Sequence, residues 1–166
     1  MLKRLSMVPD PVTLRQQCEI QRNSCLHLTS QFYSLLAVLL NRYAYRKQHL
    51  IAELAGLSAS AITQYIKNNR FPNSLTVFRI GCALKPKIHE FNLLMRTYKL
   101  AVAAGFQADL LKACFEILNS YEIETDLEDH LRKEIQNILD SSTKLIQEQY
   151  PLLKEIDTIK INPKKV

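Results

Sequence analysis

Glycine is scarce in this chain: only three glycines occur among 166 residues, at positions 56, 81 and 105. Folds rich in β-sheet rely on turns with positive φ, and such turns favour glycine. Phosphate-binding loops and dinucleotide fingerprints need several glycines within one short stretch. The wide spacing of the three glycines therefore excludes a glycine-rich phosphate loop and favours an all-α fold.

Long hydrophobic runs are also missing. No apolar stretch approaches the roughly 20 residues that a helix needs to cross a bilayer, and the N-terminal residues MLKRLSMVPD lack the apolar core of a signal peptide. We therefore expect no membrane partner and a cytoplasmic location. There the four cysteines, Cys18, Cys25, Cys82 and Cys114, are expected to stay reduced and to act as small buried or half-buried side chains.

Sequence motifs of catalysis and metal binding are absent as well. The chain has no HExxH, no CxxC pair and no GxSxG. Cys25 and His27 are two possible ligands without a second pair nearby. The acidic cluster over residues 122–129 is explained by the start of a helix, where carboxylates are favoured. We expect no catalytic residue, no metal and no cofactor, and hence not an enzyme.

The positive charge lies in one half of the chain. Residues 1–90 contain twelve Lys/Arg and four Asp/Glu, whereas residues 91–166 contain ten Lys/Arg and twelve Asp/Glu. A basic half joined to a slightly acidic half indicates that the N-terminal half meets a polyanion such as nucleic acid. The alternative is an uneven but merely solvated surface.

Apolar residues recur at helical spacing through most of the sequence, and Pro and Gly divide the pattern into segments. We predict three regions: an N-terminal arm and helix (1–27), a compact helical domain (28–85) and a helical dimerisation or regulatory region (86–166). The predicted helices cover residues 11–24 with Asp10 as cap, about 29–43, 48–55, a helix capped by Ser58 that reaches about Lys67, 74–84, a segment from 88 ending at Gly105, a further apolar stripe over 110–118, and a long helix capped by Asp126 and interrupted at Pro151. Residues 68–73 are predicted to form a loop by composition.

Two short helices joined at Gly56 are the most informative feature. A sharp crossing of two helices needs a small residue within the first, here Ala52, and a residue four positions later that tolerates positive φ, here Gly56. Apolar side chains must then anchor both helices. Those at the expected positions are Ile51, Ala55, Leu57, Ile62 and Tyr65.

The segment 48–67, QHLIAELAGLSASAITQYIK, resembles the helix-turn-helix of the Cro and lambda-repressor family, with Pro72 matching a loop proline and residues 74–84 a closing helix. The resemblance covers about residues 28–85. It implies an all-α, five-helix-type lambda-repressor-like domain followed here by a C-terminal helical region. Asn68 stands where many members have glycine, and no glycine-rich, β-rich self-cleaving domain follows, which puts regulation by self-cleavage in doubt.

The resemblance implies a sequence-specific DNA-binding transcriptional regulator, most simply a repressor in a bacterium or phage. Its second short helix would read bases in the major groove of double-stranded DNA. Base-reading residues would be Ala59, Ser60, Thr63 and Gln64; phosphate contacts would be Gln48, Lys67, Asn69 and Arg70; and the motif core would be Ala52, Gly56, Leu57, Ile62 and Tyr65. Arg42, Arg46 and Lys47 would add to the basic field. The arm with Lys3 and Arg4 either reaches a minor groove or is only flexible.

Proteins of this kind usually bind DNA as dimers, so we expect a homodimer. The apolar stripe Leu127, Leu131, Ile135, Ile138 and Leu145 predicts either a dimer seam or ordinary packing within a helical bundle. Two other functions stay open from the sequence. One is a helical protein-interaction module, antitoxin-like or regulator-binding, that uses the C-terminal helices. The other is a sensor with an effector pocket after residue 86.

Overall fold

A computed structural model describes residues 10–67, 70–120 and 129–161 of the chain. Every regular element in these ranges is an α-helix, which confirms the expected all-α class. Within the same ranges no helix is both long enough and apolar enough to cross a membrane. The helices are α1 (Pro11–Ala44), α2 (Gln48–Leu54), α3 (Ala59–Ile66), α4 (Ser74–Leu84), α5 (Ile88–Asn119) and α6 (Asp129–Ile161).

Three helices are longer than the sequence predicted. The expected break before residue 29 is wrong, because no Gly or Pro interrupts α1 after its first residue. The expected end at Gly105 is also wrong: a glycine weakens a helix by about 1 kcal/mol without terminating it, and α5 continues to Asn119. Pro151 lies inside α6 rather than interrupting it. The proposed cap Asp126 lies outside the described residues.

The chain divides into two compact units. Unit 1 comprises Met1–Leu28 and Ala103–Glu148, and unit 2 comprises Thr29–Val102 and Gln149–Val166. The boundary predicted after residue 27 lies next to the division after Leu28, and the boundary predicted after residue 85 lies between α4 and α5, within unit 2. The three short helices α2, α3 and α4 therefore all belong to unit 2.

Unit 1 is a core of side chains from α1, α5 and α6. Polar contacts fix the pairing of these helices: the Ser142 hydroxyl donates to Gln21 Oε1 at 2.6 Å, and Gln21 Nε2 donates to Thr143 Oγ1 at 2.8 Å. A hydrogen bond to Cys114, together with burial, raises the pKa of the Cys18 thiol. The buried apolar side chains are Leu14, Cys18, Cys25, Leu28, Ala104, Ala108, Leu111, Cys114, Leu118, Ile135 and Leu139.

The predicted dimer stripe is distributed unevenly over unit 1. Ile135 is buried within the chain's own core, Ile138 and Leu145 are half-buried, and Leu131 is exposed. Leu127 lies outside the described residues. Part of the stripe is therefore occupied by ordinary helix packing.

Unit 2 has a larger core, built on the second half of α1. Phe32, Leu35, Leu36, Leu39 and Leu40 are all fully buried. The short helix α2 packs against both α3 and α4. Further core residues come from the helices α2 to α6 and from the end of α2: Ile51, Ala52, Ala55, Ala61, Ile62, Tyr65, Val77, Ile80, Leu84, Leu93, Leu94, Tyr98, Leu152 and Ile156.

A buried ion pair joins the end of α1 to the start of α5. The Arg42 guanidinium pairs with the Glu90 carboxylate, to which the Tyr43 hydroxyl also donates. Glu90 further accepts the backbone N–H of Lys87 at 3.0 Å, as the third helical residue does in a capping box. Arg42 was expected to add to a basic surface field. That expectation is wrong, because its side chain is 9% exposed and pairs with an acid that is 2% exposed.

Burial of Glu90 acts to raise its pKa, but the hydrogen bonds from Tyr43 and Lys87 and the charge of Arg42 outweigh burial and leave the pKa below its ordinary value. A carboxyl group whose pKa is lowered by folding stabilises the folded state above its unfolded pKa of about 4.3. That stabilisation is lost as the pH falls through the folded-state pKa.

Glu90→Gln is expected to lower the free energy of unfolding at pH 7 by about 3 kcal/mol, because it leaves the buried Arg42 charge uncompensated. The variant should also lose less stability than the wild type between pH 7 and pH 3. Urea unfolding followed by circular dichroism measures both effects. Glu155→Gln is the matched control, since its 3.1 Å pair with Arg96 is more than half exposed and such pairs contribute under about 1 kcal/mol. Equal losses in the two variants would contradict the assignment.

Candidate nucleic-acid interface

The turn between α2 and α3 is built by a closed set of backbone hydrogen bonds. The N–H of Gly56 bonds to the carbonyl of Glu53 at 3.1 Å, and the N–H of Leu57 bonds to the carbonyl of Ala52 at 2.8 Å. These are the two bonds of a Schellman helix end, which needs a left-handed residue after the cap. Gly56 supplies it with φ +73°. The turn therefore depends on the conformational freedom of this glycine.

The helix α3 begins at once after this turn. Ser58 is its N-cap, and the Ser58 hydroxyl accepts the backbone N–H of Ala61 at 3.2 Å. Serine favours this position because its side chain satisfies one of the free N–H groups of the first turn. The chain is helical again from Ala59, three residues after the left-handed glycine. The orientation of α3 is thus set locally by Gly56 and Ser58.

One face of the helix pair is buried. Ala52, Ile62 and Tyr65 are at most 2% exposed, and Leu57 is half-buried against the unit 2 core. Gly56 itself is exposed at the turn. Because α3 is only eight residues long, burying Ile62 and Tyr65 determines which of its residues face outward.

The four residues predicted to read bases are all exposed on α3. The Ser60 hydroxyl hydrogen-bonds with that of Ser58 at 3.1 Å, and the Thr63 hydroxyl donates to the carbonyl of Ala59 at 3.4 Å. The Gln64 side chain is also exposed to solvent. We call Ala59, Ser60, Thr63 and Gln64 the α3 face.

The residues predicted to contact phosphates lie at both ends of the helix pair. Gln48 is the first residue of α2 and is half-buried, whereas Lys67 and Arg70 are exposed after α3. The Arg70 guanidinium carbon lies 5.6 Å from the centre of the Tyr65 ring, a distance at which the ring attracts a cation. Asn69 lies outside the described residues, as does Asn68.

An aromatic cluster holds the chain that follows Arg70. The Phe71 ring stacks on Tyr98 of α5 with centroids 5.3 Å apart, and it contacts Phe32 and Tyr33 of α1 at 5.5 and 5.7 Å. The Tyr98 hydroxyl donates to the carbonyl of Pro72 at 2.8 Å. The sequence predicts this segment only as a loop and does not predict the cluster, although an aromatic residue inside a polar loop is a signal for it.

Two further features fix the helix α4 next to the helix pair: its N-cap and its close packing at Gly81. The Asn73 side chain caps α4 by accepting the backbone N–H of Thr76 at 2.8 Å, a role that the sequence analysis did not assign. Gly81 is needed for close packing: a Cβ there would lie 2.8 Å from the Phe91 ring. A β-carbon at position 81 would therefore require Phe91 to move.

Exposed positive charge is concentrated around the helix pair. Residues 45–89 include seven Lys/Arg and one acid, Glu53, and all seven cations are exposed. The Arg79 guanidinium comes within 3.7 Å of the space that a Gly56 side chain would fill, so a cation of α4 lies beside the turn. The seven are Arg46, Lys47, Lys67, Arg70, Arg79, Lys85 and Lys87.

Potential metal ligands are not clustered in the described ranges. No group of three His, Cys, Asp or Glu residues there lies close enough to hold a metal ion. The arrangement present in unit 2 is instead a short helix with an exposed polar face, with basic residues on both sides of it in the sequence.

Comparison with known proteins gives no relative: no protein-family model, curated protein or solved structure matches the chain.

Gly56→Ala is expected to lower the free energy of unfolding by about 1–2 kcal/mol, because a β-carbon disfavours the left-handed conformation. Gly105→Ala is the matched control. It lies inside α5 with no atom within 4 Å of a new Cβ, so it should raise stability by about 0.5–1 kcal/mol. Urea unfolding compares the two. A Gly56→Ala protein as stable as the wild type would contradict the role given to the turn.

Proposed function

We propose that the chain is a sequence-specific DNA-binding transcriptional regulator that uses α3 as its recognition helix. The observation that carries this proposal is the division of α3 into two faces. Ile62 and Tyr65 fix one face in the core, while the four polar or small residues of the α3 face remain exposed. A helix of this kind, held by a preceding short helix and a tight turn, fits the major groove of duplex DNA.

The chemistry of the α3 face supports base recognition. The Gln64 amide offers a donor and an acceptor, which match the N7 and N6 positions of adenine. The hydroxyls of Ser60 and Thr63 can donate to or accept from a base, and the methyl group of Ala59 suits contact with thymine. Because both hydroxyls now bond only within the helix or its cap, they can exchange these bonds for bonds to DNA at small cost.

The exposed cations support contacts to the DNA backbone. Lys67 and Arg70 follow α3 directly, and Arg70 is placed by its contact with Tyr65 and by the anchored Phe71. Gln48 at the start of α2 and Asn69 complete the proposed phosphate set. Phosphate contacts of this kind give affinity and register, whereas base contacts give specificity.

Regulation would follow from occupancy of an operator in the cytoplasm of a bacterium, or of a phage-infected cell. Two copies of the chain would occupy two half-sites about one helical turn apart. Repression by blocking polymerase is the simplest outcome, and no catalytic group or cofactor is required for it.

Selection of bound sequences from random duplex DNA tests the proposal. The full-length protein is expected to enrich one motif with two half-sites, and its affinity should fall steeply as salt increases because several phosphates are neutralised. Failure to enrich any motif, together with binding that is absent or insensitive to salt, would overturn the proposal and favour the alternative of a protein-interaction module.

Two substitutions separate base reading from phosphate binding. Gln64→Ala should weaken binding to the selected site by about 1–3 kcal/mol and reduce selectivity at one base pair. Arg70→Ala should weaken binding to all sequences similarly and reduce the salt slope by about one. Titration of labelled DNA at several salt concentrations measures both. Gln16→Ala is the control for lost amide chemistry, since Gln16 is exposed on α1 in unit 1, and it should change neither quantity.

A further inference from the structure

An open groove lies between α5 and α6 in unit 1. Gln107 Nε2 donates to the carbonyl of Ile138 at 3.2 Å, which ties the two helices together. A groove of about 350 Å³ lies beside this contact and is lined by Phe106 and Leu145, among others. Phe106 is 64% exposed. Burying a phenylalanine ring away from water lowers the free energy substantially, so covering this ring would be favourable.

The positions of the residues in the predicted dimerisation stripe favour this groove as the interface. Ile135 and the neighbouring Leu139 are 6% and 2% exposed, so they already serve the chain's own core. Among the described residues of the predicted stripe, Leu145 lines the groove. An interface between copies is therefore expected at the groove rather than along the stripe.

The charges at the groove of one copy can pair with those at the groove of a second copy. Lys144 and Glu148 both line it and lie one helical turn apart on α6. If α6 packs antiparallel to α6 of a second copy about a two-fold axis near residue 146, Lys144 of each copy lies opposite Glu148 of the other. A two-fold interface uses the same patch on both subunits. Two ion pairs then flank an apolar centre formed by Phe106 and Leu145.

We propose that the groove defined by Phe106, Lys144, Leu145 and Glu148 is the site where two copies of this chain associate. The inference rests on the proposed function only in that two DNA half-sites require two copies, and it is measured without DNA. Because these charges can pair with those of an identical patch, the partner proposed for the groove is a second copy of the chain.

Sedimentation equilibrium of the full chain tests the apolar centre. The wild type is expected to show a monomer–dimer equilibrium, and Phe106→Ser should raise the dimer Kd at least tenfold, as loss of a central aromatic anchor does. Because Phe106 is largely exposed, the variant should keep the wild-type helical content, and its Tm should equal that of the wild type at concentrations where both are monomeric. Ile117→Ser is the control: Ile117 is 48% exposed on the same helix and does not line the groove, so its Kd should be unchanged.

Charge reversal tests the two-fold geometry. Lys144→Glu and Glu148→Lys should each raise the homodimer Kd roughly tenfold at low salt, because each places like charges opposite one another. An equimolar mixture of the two variants should recover dimer of wild-type affinity, since every 144–148 pair is then of opposite charge. If each substitution weakened the dimer only by changing its own chain, mixing the two variants would not restore the wild-type Kd.

The outcomes separate this inference from the proposed function. Recovery on mixing, with weakening by Phe106→Ser, supports the groove whether or not DNA binds. A wild type that is monomeric at all concentrations, a dimer indifferent to Phe106→Ser, or a mixture that stays monomeric would overturn it. Selection of single half-sites by such a monomer would leave DNA binding intact and refute only the dimer interface.

Discussion

The positive φ of Gly56 is the constraint on which the candidate interface depends. The left-handed residue closes α2 through two backbone hydrogen bonds, and Ser58 then starts α3 two residues later. With so short a connection, α3 has little freedom of direction. Once Ile62 and Tyr65 are committed to the core, the exposed residues of α3 are determined, and the identity of the outward face follows from local backbone geometry.

Long-range contacts then stabilise the position of α3 and of the chain that follows it. The stacked Phe71 and Tyr98 rings and the bond to the Pro72 carbonyl hold the chain after α3 against α1 and α5, while Arg42 and Glu90 tie those two helices together. These contacts are all within unit 2. A recognition surface needs such rigidity, because base contacts contribute only when donors and acceptors are held in register.

Sequence patterns gave the local features correctly because those features are short-range. The caps at Asp10 and Ser58, the turn at Gly56 and the start of α4 at Ser74 all follow from residues within one helical turn. The Arg42–Glu90 pair joins residues 48 positions apart, and no local pattern shows that an arginine beside a basic run is buried. Gly105 and Pro151 do not end their helices, although their local costs are about 1 and 3 kcal/mol. A local pattern shows that cost but not the tertiary packing of the rest of the helix, which supplies most helical stability.

At two positions the backbone adopts a positive φ without a glycine. Arg46 and Lys85 have φ of 62° and 52°, and they are the non-glycine residues with positive φ in the described ranges. Each costs about 1 kcal/mol or more relative to glycine, yet both are exposed cations at the ends of α1 and α4. Lys85 recovers part of this cost from the helix dipole. Glycine at either position would remove this backbone cost together with one exposed positive charge. Under the proposed DNA-binding role, this charge would add to the attraction for phosphates.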